Sequence, residues 1–116
     1  MFKVAIIGGE DCLDYNFFQT KCINILRKKA QEKERIIIYT LGDEFVDRFS
    51  QRFGIETRTN FCDWKRDGKN ALKNCVEDIL NNIDAVILFD DGKSHIKYIY
   101  DNIKKKNIPL RKITIN

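Results

Sequence analysis

A doubly wound α/β sheet of five parallel strands in the order 3-2-1-4-5 is the fold this sequence predicts, and three observations predict it. Short apolar runs alternate with stretches of helical periodicity, which is the signature of strand-helix repeats. Two of the runs, within Phe2 to Ile7 and Ala85 to Phe89, are continuous, as in strands covered on both faces, whereas Ile55 to Phe61 alternates strictly, as in an edge strand with one wet face. The connections are short, so each crossover is right-handed and the strand order follows from which strands are interior.

Phe2 to Ile7 ends in Gly8-Gly9, and Asp14 precedes a helix with Phe18, Cys22, Ile25 and Leu26 on one face. Arg35 to Leu41 is the second strand. After Gly42-Asp43 a helix carries Val46, Phe49 and Phe53 and is closed by Gly54. In the third strand Ile55, Thr57, Thr59 and Phe61 oppose Glu56, Arg58 and Asn60. A third helix with Leu72, Cys75, Val76, Ile79, Leu80 and Ile83 leads to the central run Ala85 to Phe89. The fourth helix holds Ile96, Ile99, Tyr100 and Ile103, and beyond Pro109 a terminal edge strand turns Ile113 and Ile115 inward. Ile7, Ile37 and Ile87 should be buried in the sheet.

The 116 residues suit one domain, 1–116, with a self-sufficient core. The net charge of +4 comes from 21 basic and 17 acidic residues. Much of the excess lies in Arg27-Lys28-Lys29 and Lys104-Lys105-Lys106, near helix ends where cations complement the helix dipole, which argues against a nucleic-acid face. No run approaches the ~18 apolar residues of a membrane span. Cys12, Cys22, Cys62 and Cys75 form no C-x-x-C pair and His95 has no zinc partner at motif spacing, so the reading is a cytoplasmic protein with reduced thiols and neither metal nor cofactor. Tyr15, Phe17 and Phe18 give the first helix more aromatic surface than an inward stripe requires, and a homo-oligomer is expected.

In such a sheet the strand order reverses between the first and fourth strands, and ligands bind at the carboxyl ends there. Candidate residues are Gly8, Gly9 and Asp11 from one loop and Asp91, Gly92, Lys93 and Ser94 from the other, with Gly42, Asp43 and the Cys62 to Lys69 loop on the same rim. Gly92-Lys93-Ser94 lacks the earlier glycine of a P-loop. A glycine, a lysine and a hydroxyl at a helix start nevertheless suit an anion, the alternative being an ordinary turn with Ser94 as N-cap. Gly8-Gly9 permits either a tight turn or close ligand approach. Asp11, Asp90 and Asp91 stand against a phosphate beside them. Cys12 is placed where a helix N-terminus lowers a thiol pKa, although no base accompanies it. In Asp63-Trp64-Lys65-Arg66-Asp67-Gly68-Lys69, the sole tryptophan either walls a planar ligand whose phosphate the bases meet, or caps the sheet rim.

"KVAIIGGED", "DRFSQRFGI", "DWKRDGK", "IDAVILFDDGKS" and "NIPL" together resemble the YspA/cpYpsA-related group of the SLOG superfamily over nearly the whole chain. The resemblance implies a Rossmann-like domain that binds a nucleotide or nucleotide-derived ligand, through Trp64, Lys65, Arg66, Lys69, Lys73 and Asn74 and the glycine loops. The chain departs from the pattern in three places. Glu10 stands where the family has arginine, only Gly42 remains of three glycines after the second strand, and the family's K-S-R-G-T becomes Lys93-Ser94-His95-Ile96-Lys97. The leading expectation is non-catalytic sensing or sequestering of a signalling nucleotide, a role compatible with a phage or defence setting. Its alternatives are an interaction module with a decayed pocket and a nucleoside-monophosphate N-glycosidase like the Lonely Guy hydrolases, although the P-G-G-x-G-T-x-x-E motif of those enzymes is absent.

Overall fold

Side chains on successive residues of a strand point to opposite faces, and the first strand uses both. In the computed structural model, which describes residues 1–115, Val4 and Ile6 of β1 (Phe2–Ile7) join one core and Ala5 and Ile7 the other. β1 lies between β2 (Ile36–Thr40) and β4 (Ala85–Asp90), with Val4 level with Ile38 on one side and Ala85 on the other. β3 (Glu56–Thr59) and β5 (Leu110–Thr114) form the edges, and all pairings are parallel in the order 3-2-1-4-5. Ile7, Ile37 and Ile87 are buried.

Helices α1 (Tyr15–Gln31) and α2 (Glu44–Phe53) cover one face, where Phe18, Cys22, Leu26, Val46 and Phe49 meet Ile38, Ile87 and Phe89. α4 (Ala71–Leu80) and α5 (Ser94–Lys105) cover the other with Val76, Ile79, Ile96, Ile99 and Ile103. Burying each such side chain stabilises the fold by roughly 1.5–3 kcal/mol. Asp14 caps α1 by accepting from Asn16 N, and Gly54 ends α2 in the left-handed conformation. The basic runs close α1 and α5 as expected. No helix among the described residues is long and apolar enough to cross a membrane.

Three details differ from the sequence reading. The strand expected to reach Phe61 ends at Thr59, and Phe61 is 75% exposed. The basic stretch is not a loop: Trp64–Asp67 forms a single helical turn, α3, followed by a 3-10 turn over Gly68–Asn70. Tyr15 and Phe18 turn inward, leaving only Phe17 of the α1 aromatics exposed, because the start of α1 packs on Phe45 and Phe89. The aromatic surface expected for self-association is correspondingly smaller.

Candidate functional site

The crevice where the strand order reverses is built from the turns after β1 and β4. Gly8 has φ +79°, and a Cβ there would fall 2.4 Å from the Phe89 carbonyl oxygen. A Cβ on Gly9 would meet the Phe18 ring at 2.5 Å and Asp43 Oδ2 at 2.7 Å. Both glycines are therefore required by packing within the chain. The 3-10 turn Gly9–Asp11 uses its own donors, Asp11 N to Gly8 O and Cys12 N to Gly9 O, while Glu10 N donates to Asp43 Oδ2 at 3.1 Å.

Asp43 is buried and is not free for a ligand. It caps α2, its Oδ1 accepting from Phe45 N and Val46 N, so it staples the β1 turn to the helix start. Burial pushes its carboxyl up to about 6 from the ordinary 3.8, with the three N–H donors pulling the other way. The folded protein thus holds this proton more tightly than the unfolded chain. Its contribution is fully present below 3.8 and is lost as pH rises towards about 6. Urea unfolding of the parent and Asp43→Asn from pH 3.5 to 7 should show the parent losing about 2–3 kcal/mol relative to the variant across that window. Parallel curves would contradict the assignment.

The β4 loop is also occupied from within. Asp90 Oδ1 accepts from Gly92 N at 2.8 Å and Asp91 Oδ1 from Lys93 N at 3.0 Å, the donors that a phosphate cradle needs. Lys93 Nζ lies 3.2 Å from Asp91 and 3.8 Å from Asp11. The Lys93 backbone N–H, then its ammonium, hold the Asp91 carboxyl below its ordinary range. The acids that stood against an anion thus neutralise the lysine meant to attract it. Lys93, not Ser94, occupies the N-cap of α5, and no side chain caps that helix. Lined by Gly8, Asp11, Leu41, Gly42, Leu72 and His95 among others, the crevice encloses about 170 Å³. That is below the ~300 Å³ of a small-molecule pocket.

α3 follows the carboxyl end of β3 and borders a separate hollow of about 190 Å³, where Arg66 and Asp67 meet Thr59, Asn60, Cys75 and Asp78. Asp63 caps it by accepting from Arg66 N, and Arg66 clamps Asp67 through Nε and Nη2 at 3.0 and 3.1 Å, so the Arg66 charge is spent locally. The Asp67 carboxyl is held below its usual range by Arg66 first and then by Asn74, which faces Asp67. Trp64 is 62% exposed and does not cap the sheet rim. Lys65, Lys69 and Lys73 are exposed and form no ion pair among the described residues. Gly42, at φ +101°, seats the Phe61 ring, which would lie 2.8 Å from a Cβ there. This contact sets the start of the segment against the β2 loop.

Cys62 and Cys75 form a disulfide, correcting the expectation that all thiols are reduced. No motif spacing marks it, because the pairing depends on the end of β3 meeting α4. Cys12 and Cys22 are free and buried. Burial, then Asp43 and Asp11, pushes the Cys12 thiol up to about 11, the reverse of the activation its position suggested. A cavity of about 740 Å³ lies at the opposite end of the sheet between α1 and α2, lined by Ile23, Leu26, Ile36, Phe49 and Phe53 among others. None of the candidate ligand residues lines it. Comparison with family models, curated proteins and solved structures found no match for this chain.

Proposed function

We propose that the chain is a non-catalytic binding domain for a nucleotide or nucleotide-derived anion, held on the carboxyl rim of the sheet rather than inside the crevice. The observation that carries this reading is the exposed indole of Trp64 on a short helix whose neighbours Lys65, Lys69 and Lys73 have no ion partner among the described residues. A base stacked on indole gains about 1–3 kcal/mol, and an ammonium supplies a mobile point charge to phosphate. Arg66, Lys93, Asp43, Gly8 and Gly9 are engaged elsewhere, so they take no part in ligand contact in this reading.

Removing the three lysines as Lys65→Ala, Lys69→Ala and Lys73→Ala together should weaken nucleotide binding and flatten its salt dependence, because fewer charges remain to be screened. The nucleotide should be recovered intact. Salt dependence equal to the parent's counts against the lysines, and release of free base revives the hydrolase alternative. The exposure of Phe61 and Trp64, at 75% and 62%, favours a second reading in which the same rim docks a protein partner. A defined complex formed by a chain that binds no nucleotide would favour it.

A further inference from the structure

The disulfide joins Cys62, directly after Phe61, to Cys75 in the second turn of α4, and the loop it closes contains Trp64, Lys65, Lys69 and Lys73. The part of that loop before α4 has few other ties, whereas Ala71 of α4 is buried. No residue of α3 or of the following 3-10 turn is buried. The hydrogen bonds described from Asp63 to Gly68 run within the segment, apart from Ala71 N donating to Gly68 O and the approach of Asp67 to Asn74. Neighbouring anchors lie just before the loop, where Phe61 sits on Gly42 and Asn60 N donates to Thr40 O at 2.8 Å. A segment with few buried contacts and local hydrogen bonds belongs to the low-stability end of a fold, where one covalent tie decides its order.

We propose that Cys62–Cys75 is a reversible redox modification site that latches the Trp64 to Lys69 segment onto α4, ordered when oxidised and released when reduced. Cys62 is partly exposed while Cys75 is buried, so a thiolate of a dithiol reductant attacks Cys62 Sγ. The Sγ–Sγ bond breaks, Cys75 leaves as a thiolate and takes a proton, and a mixed disulfide forms on Cys62. The second thiol of the reductant, as its thiolate, displaces Cys62, which takes the second proton. Two electrons pass from the dithiol, which becomes a cyclic disulfide, to the cystine. Cys12 and Cys22 do not exchange, because both are buried in the core beneath α1. The consequence for ligand binding rests on the nucleotide reading above.

The test uses the full chain equilibrated either with oxidised glutathione or with dithiothreitol. Alkylation after denaturation should label two cysteines in the first sample and all four in the second. Native limited trypsinolysis should then cut after Lys65, Arg66 and Lys69 about tenfold faster in the reduced protein, with cleavage at the end of α1 unchanged. The Cys62→Ser, Cys75→Ser double variant should behave as the reduced form whatever the reagent. ATP, as the probe, should bind the oxidised form several-fold more tightly. Four labelled cysteines in the oxidised sample, or equal cleavage of the two forms, overturns the latch, and equal ATP affinity of two forms that both bind overturns its consequence for ligand binding. If neither form binds ATP while labelling and cleavage behave as stated, the latch stands and the nucleotide reading loses this support.

Discussion

Phe18→Ala is expected to lower stability by about 3–5 kcal/mol, seen as a large fall in the urea midpoint with little change in slope. The residue is fully buried and its ring meets four others, with centroids 5.2 Å from Phe89, 5.7 Å from Phe45, 5.9 Å from Tyr15 and 6.1 Å from Phe49. Truncation therefore removes a large apolar body and the tilted and edge-on contacts it makes. Relaxation offers little relief, since β1, α2 and β4 hold the cavity walls. The same ring closes the space above Gly9, so the turn beside the crevice should loosen too. A loss below about 1 kcal/mol would mean that this cluster is not packed as described.

Gly8→Ala is expected to cost about 2–5 kcal/mol, combining the left-handed backbone with a clash against an oxygen that cannot move without displacing β4. Gly92→Ala provides the comparison. Its φ of +85° is similar to the +79° of Gly8, but a Cβ there meets nothing within 4 Å. Only the backbone strain of about 1–2 kcal/mol should appear. Thermal unfolding of both variants separates the terms. Equal losses would show that contact with Phe89 does not matter, and a stable Gly8→Ala protein that no longer binds nucleotide would return Gly8 to the ligand site.

The sheet was readable because its signals are local. Continuous apolar residues in Val4 to Ile7 and Ala85 to Phe89 mark strands buried on both faces, and the wet face of Glu56 and Arg58 marks an edge, so the order follows. The site was less readable because its electrostatics depend on partners distant in sequence. Glu10 N finds Asp43 across 33 positions, and Lys93 finds Asp11 across the reversal of strand order, so residues suited to a ligand by type are consumed by the fold. Asp43 did carry a legible sign, an aspartate directly before a helical face, which is the position of a cap. Asp63 before Trp64 carried the same sign, but a four-residue turn is too short to show periodicity. Cys62 and Cys75 lie 13 apart, a spacing that says nothing until β3 and α4 are placed side by side.

What distinguishes a ligand-binding rim from a decorated turn is the behaviour of Trp64, and isothermal titration of the oxidised chain with mono-, di-, tri- and cyclic nucleotides measures it directly. Because Trp64 is largely exposed, Trp64→Ala should keep the fold. At least one nucleotide should bind the parent at one per chain, and Trp64→Ala should weaken that binding about tenfold or more, the worth of one stacked base. Absence of binding by the parent across the panel, or equal affinity of parent and variant, would contradict the assignment of this rim to a nucleotide.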